Sequence, residues 1–127
     1  MFTGIKDKVV VVTGGAGLLG KEFCQAIVTN GAIAIMAERE LSVAKKAVEV
    51  LGMERVIPAQ IDITDINSIQ ELITAISEKF GKIDALINSA YPRNKNYGND
   101  FFEVTYNDFC ENVGMNLGGY FLTSQQF

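Results

Sequence analysis

The chain has 127 residues, enough for one domain and too few for two, so residues 1–127 are read as a single domain. With 11 basic against 15 acidic residues, a net charge of −4 and no Lys/Arg run, it lacks the electrostatic footprint of a nucleic-acid-binding protein. It contains no histidine and only two widely separated cysteines, which argues against a zinc site and against Ser-His-Asp or Cys-His hydrolase chemistry.

Residues 8–13 form a β-branched run ending in glycines, the pattern of a strand buried on both faces of a parallel sheet. The period then changes: over residues 17–30, Leu19, Phe23, Ala26 and Ile27 share one helical face, and Asn30-Gly31 is a stop signal. Residues 32–37 form a second buried strand. This is the longest apolar run and is too short to cross a membrane; with no signal-peptide pattern at the N-terminus, the expected compartment is the cytoplasm.

A helix is expected over residues 40–51, closed by Gly52, and a third strand over 55–60. Asp65 is placed to cap a helix whose apolar face is Ile66, Ile69, Ile73, Ile76 and Phe80, ending at Gly81. Residues 83–88 read as a fourth strand and the polar stretch 91–100 as a loop. Thr105 or Asn107 opens a last helix with Phe109, Val113, Leu117 and Tyr120 on one face. Cys24 and Cys110 fall inside predicted helices and are expected to be inert packing residues. Alternating strands and helices imply βαβ units, hence a doubly wound parallel α/β sheet of order 3-2-1-4. The apolar period of the last helix runs to Phe127 without a stop signal, so the chain is read as truncated after its fourth helix.

Residues 13–20 join the first strand to the first helix, and within them Gly15, Gly17 and Gly20 satisfy the Gly-x-Gly-x-x-Gly spacing. Glycines there permit a tight turn, close approach of backbone to a pyrophosphate and close helix–strand packing, while the helix N-terminus offers free N–H groups to the anion. A plain turn that needs glycine is the bland alternative. A nucleoside-triphosphate loop is disfavoured, because Glu22 stands where the magnesium-binding hydroxyl would be. Glu38, 18 positions beyond Gly20 at the end of the second strand, matches the carboxylate that accepts hydrogen bonds from a ribose and repels a 2′-phosphate. It favours NAD, while the adjacent Arg39 argues for NADP.

These residues carry a resemblance. The chain resembles the short-chain dehydrogenase/reductase superfamily over essentially its whole length, through residues 13–20, Asp62-Ile63-Thr64, Asn88-Ser89-Ala90 and Asn116-Leu117-Gly118-Gly119. The resemblance implies the nicotinamide-cofactor-binding Rossmann half of an oxidoreductase that moves a hydride between NAD(P) and an alcohol or carbonyl substrate. Thr13, Gly14, Gly15, Gly17, Leu18, Leu19 and Gly20 would form the cofactor turn, with Thr13 tying it to the fourth strand. Asp62 and Ile63 would meet the adenine, and Asn88 and Ala90 would line the cofactor trough, with Asn88 also bracing the sheet. Asn116 would be the catalytic asparagine that anchors a water-linked proton relay. It also has support of its own, as a polar residue on the otherwise apolar inward face between Val113 and Leu117. The bland alternatives are an Asx turn at Asp62, a loop cap at Asn88 and a satisfied structural asparagine at Asn116.

The family's serine, tyrosine and lysine belong after the next strand, so residues 1–127 alone are expected to bind dinucleotide and turn over nothing. A literal Tyr-x-x-x-Lys at Tyr91 and Lys95 lies in a loop with Pro92 and is rejected, since the chemistry needs successive turns of one helix. Leu18 stands where the commonest subtype has a glycine, and Tyr91 replaces the glycine that usually follows Ser-Ala, which leaves the subtype open. Residues 91–98 also resemble bacterial relatives associated with surface-sugar and flagellin modification. Two other readings stand beside the oxidoreductase: a non-catalytic dinucleotide-binding module, and an extended-subtype sugar-nucleotide epimerase or dehydratase. A homo-oligomer is expected at full length.

Overall fold

A computed structural model describes residues 3–127. Four parallel strands, β1 (Val9–Thr13), β2 (Ile33–Glu38), β3 (Val56–Gln60) and β4 (Ala85–Asn88), form one sheet in the order β3-β2-β1-β4. The helices are α1 (Leu18–Thr29), α2 (Leu41–Leu51), α3 (Ile66–Phe80), α4 (Tyr106–Val113) and α5 (Gly119–Gln126), the last two joined by a π-helical segment, Gly114–Gly118. The fold class and strand order are those expected from the alternation of elements.

β1 is buried along its whole length, and its alternate residues go to opposite faces. Val9 and Val11 pack with Ile35, Ile61, Ile69, Leu72 and Ile76, while Val10 and Val12 pack with Cys24, Ile27, Met36, Ala47 and Val56. The sheet is therefore sandwiched between α3 on one side and α1 with α2 on the other. Pro58, which lacks a ladder donor, is accommodated on the edge strand β3. Helix ends follow local chemistry: Asp65 accepts from the Asn67 N–H at 2.9 Å, and Gly52 and Gly81 close α2 and α3 in the left-handed conformation.

Four expectations about faces need correction. The buried side of α1 is Gly20, Cys24 and Ile27; Leu19 and Phe23 are exposed, because the small residues let the helix sit closer to the sheet than the bulkier stripe allows. In α3, Leu72 is buried and Ile66 exposed. At the C-terminal end Phe109, Val113 and Leu117 face outward, and the inward row is Asp108, Asn112, Asn116, Gly119 and Thr123. The polar row wins because it hydrogen-bonds to the loop after β4 and to β4 itself. Cys110 is exposed on α4, whereas Cys24 is buried and its thiol is pushed up to about 11 by that burial.

Candidate cofactor site

All four strands end at the same edge of the sheet, and the connections leaving them form a trough. The turn after β1 is built by close contact. Gly14 has φ +64°, and a Cβ there would meet the Ala90 Cα at 2.7 Å. A Cβ at Gly20 would meet the Gly15 Cα at 2.7 Å, so α1 is seated directly on the turn. The tight-turn role thus falls to Gly14, one position before the Gly-x-Gly-x-x-Gly spacing begins, while Gly15 packs against Met36 of β2. The first bond within α1 runs from the Lys21 N–H to the Gly17 carbonyl, which leaves the amides of the first turn open to an anion.

Thr13 is fully buried, and its Oγ1 accepts from the Ser89 and Ala90 N–H groups, both at 3.2 Å. It ties the glycine turn to the chain leaving β4. Glu38, at the end of β2, accepts the Ala16 N–H at 2.8 Å. Arg39 Nε lies 3.5 Å from Asp62 Oδ2, and Asp62 Oδ1 accepts from the N–H and Oγ1 of Thr64 at 2.9 and 2.6 Å. Asp62 is thus an Asx turn as well as a lining residue. Partial burial works to raise its pKa, but the Thr64 hydrogen bonds and the Arg39 charge outweigh it and hold the carboxyl below its ordinary value.

Two adjoining cavities make up the trough. One, of about 340 Å³, is lined by residues that include Gly14, Glu38, Asp62, Ile63, Ala90 and Arg93. The other, of about 620 Å³, is lined by residues that include Gly17, Leu18, Leu19, Gly20, Ser89 and Arg93. Leu18 is 93% exposed, a large apolar side chain left open at the mouth. Most of the residues singled out from sequence are thereby brought together. Thr13 and Gly15 stand behind the lining.

Asn88 faces elsewhere. Its Nδ2 donates to Ser124 Oγ at 3.0 Å and its Oδ1 accepts from Thr123 Oγ1 at 2.8 Å, so it braces α5 against β4. Asn116 lies in the π segment, a distortion often found at functional sites. Its Nδ2 donates to the carbonyls of Pro92 (2.6 Å) and Asn112 (2.9 Å). Its Oδ1 is buried without a partner among the described residues. Its neighbours are the loop after β4 and not Val113 and Leu117. Tyr91 and Lys95 occupy a non-helical loop, as expected, with Tyr91 hydrogen-bonded to Tyr97.

Tyr91, Pro92, Arg93 and Met115 line the trough without having been singled out as cofactor contacts. The usable signal was position: Tyr91, Pro92 and Arg93 follow the C-terminal end of a parallel strand, where ligands of such sheets bind.

The model of the short chain dehydrogenase family matches residues 8–127. The chain belongs to that family. It is an oxidoreductase family built on a nicotinamide-dinucleotide-binding Rossmann fold. Among its members, post-translational flagellin modification protein A of Campylobacter coli is 35% identical over 127 residues, covering 97% of this chain and 50% of that protein. Galactitol 2-dehydrogenase of Agrobacterium fabrum is 33% identical over 90 residues, covering 68% of this chain and 33% of that one. A short chain dehydrogenase from Bacillus anthracis superposes with a TM-score of 0.82 at 30% identity, over 96% of this chain and 49% of that structure. The 3-ketoacyl-(acyl-carrier-protein) reductase of Brucella melitensis, solved with NADH, shares the fold with a TM-score of 0.83 at 24% identity, over 97% of this chain and 50% of that structure. The chain thus spans about half the length of these relatives, or less. Among the described residues, no helix is long and apolar enough to cross a membrane.

Proposed function

We propose that the protein is an NAD-dependent dehydrogenase or reductase acting on an alcohol or carbonyl group, and that residues 1–127 hold its cofactor. The reading rests chiefly on one observation: Glu38 is shared by both cavities at the end of β2. Adenosine fits the side bearing Glu38, Asp62 and Ile63, and the diphosphate fits the glycine turn, where the open amides of α1 converge. The nicotinamide end fits the side bearing Ser89 and Ala90. The residues fit the dinucleotide because Gly14 and Gly20 leave backbone, and no side chain, at the turn.

Bound there, the dinucleotide supplies the hydride donor or acceptor. The chain's own residues bind and orient it. Asn116 presents a buried, unpartnered Oδ1 beside the loop after β4, which suits a residue that holds a water of a proton relay. A sugar or polyol is the proposed substrate class, supported by the likeness to galactitol 2-dehydrogenase. The proton-transferring residues are proposed to lie outside residues 1–127, and the whole protein to be a homo-oligomer.

NAD is favoured over NADP because the Glu38 carboxylate at the end of β2 repels a 2′-phosphate, and the adjacent Arg39 is already engaged by Asp62. Titration of both cofactors against the wild type and Glu38→Ser tests this. The wild type should bind NAD more tightly, and the substitution should shrink the preference about tenfold, the effect of removing one charge repulsion. Tighter NADP binding by the wild type would reverse the assignment.

A further inference from the structure

Arg93 lines both cavities, in company with Gly14, Glu38 and Tyr91. Among the described residues its guanidinium makes no ion pair. It lies instead 5.4 Å from the ring centroid of Tyr97 and 6.0 Å from that of Tyr91. The two rings meet edge to face at 5.7 Å, and their hydroxyls are hydrogen-bonded at 2.7 Å. Of the two acids that share a cavity with it, Glu38 accepts the Ala16 N–H and Asp62 is paired with Arg39.

The loop that carries Arg93 is held in place. Asn94 Nδ2 donates to Asp108 Oδ1 at 2.9 Å and to Glu111 Oε2 at 2.8 Å, and Asn96 Nδ2 donates to Asp108 Oδ1 at 2.8 Å. The Asn94 N–H donates to Asn112 Oδ1 at 3.0 Å, and the Pro92 carbonyl accepts from Asn116 Nδ2 at 2.6 Å. A cation with no counter-ion, stacked on two linked rings in a fixed loop, is prepared for an anion that arrives from outside.

We propose that Arg93 is a diphosphate-binding residue, closing on the cofactor from the β4-loop side while the amides of α1 meet it from the glycine turn. This rests on the dinucleotide reading of the trough. Arg93 stands where the adenosine-side and glycine-turn cavities meet, and the diphosphate is the part of a dinucleotide that joins its two halves and bears its charge. A planar guanidinium matches phosphate oxygens bidentately, and the tyrosine rings reduce the freedom it loses on binding.

The test is calorimetric titration of the purified protein with NAD, ADP-ribose and adenosine, the last lacking the diphosphate, for wild type, Arg93→Met and Arg93→Lys. Arg93→Met should weaken NAD and ADP-ribose about tenfold, the scale of one charge-assisted contact, and leave adenosine unchanged. Arg93→Lys should recover part of the loss, and the difference should shrink as salt is raised. Arg93 is exposed, so thermal midpoints of the three proteins should agree. Wild-type binding of all three ligands with Arg93→Met equal to it overturns the Arg93 assignment alone, as does an equal loss for adenosine. Failure of the wild type to bind any of them overturns the dinucleotide reading and this inference with it.

Discussion

Two glycines with the same backbone sign separate two kinds of necessity. Gly14 has φ +64° and the Ala90 backbone 2.7 Å from where a Cβ would lie; Gly52 has φ +63° and nothing within 4 Å. Gly52→Ala should cost about 1 kcal/mol, the strain of a left-handed residue. Gly14→Ala should cost at least about 3 kcal/mol, because the β4 loop must also move. Urea denaturation of both variants measures the difference. Asp108 makes a pH prediction. The hydroxyl of Thr105, followed by the Asn96 amide, holds its carboxyl below the ordinary 3.8 despite desolvation. A carboxyl depressed in the folded state stabilises fully above its unfolded value and loses that contribution as pH falls through the folded one. Asp108→Asn should therefore lower the thermal midpoint at neutral pH, and the gap to the wild type should close below about pH 4. A gap that persists at pH 2 would contradict the assignment.

At the scale of elements, α4 begins with a capping box: the Asp108 N–H donates to Thr105 Oγ1 at 3.1 Å, and the Thr105 N–H reaches Asp108 Oδ2 at 3.4 Å. Thr105→Ala should cost about 1 kcal/mol in chemical denaturation, as lost caps do. Caps of this kind were legible, as Asp65, Gly52 and Gly81 were, because they act within a few residues of themselves. Faces were less so. Choosing the most apolar stripe of the C-terminal helix selected Phe109, Val113 and Leu117, all exposed, over a row whose partners lie 12 to 35 positions away, such as Asn96 with Asp108 and Asn88 with Thr123. The π segment at Asn116 shifts the phase of the helix further, and hydrophobic periodicity carries no sign of it. The trough was legible through glycine spacing and Glu38. Arg93 was not, since a loop arginine acquires meaning only once β4 is set beside β1.

For the whole molecule, β4 is an edge strand and the outer face of the C-terminal helices is apolar: Tyr106, Phe109, Leu117 and Phe121 are 84%, 59%, 67% and 65% exposed. So large an apolar stripe calls for a covering surface. Residues 1–127 by themselves should self-associate, and Phe109→Glu with Phe121→Glu should shift sedimentation toward monomer without changing NAD affinity. A wild-type chain that sediments as monomer at high concentration would contradict this. The central claim is that a nicotinamide dinucleotide lies along the strand ends, from Glu38 and Asp62 across the glycine turn to Ala90. Backbone amide NMR shifts during an NAD titration test it most directly. Saturable shifts should concentrate at Gly15, Gly17, Leu18, Leu19, Gly20, Glu38, Asp62, Ile63 and Ala90. An unchanged spectrum at millimolar NAD, or shifts confined to the outer face of α3, would contradict it.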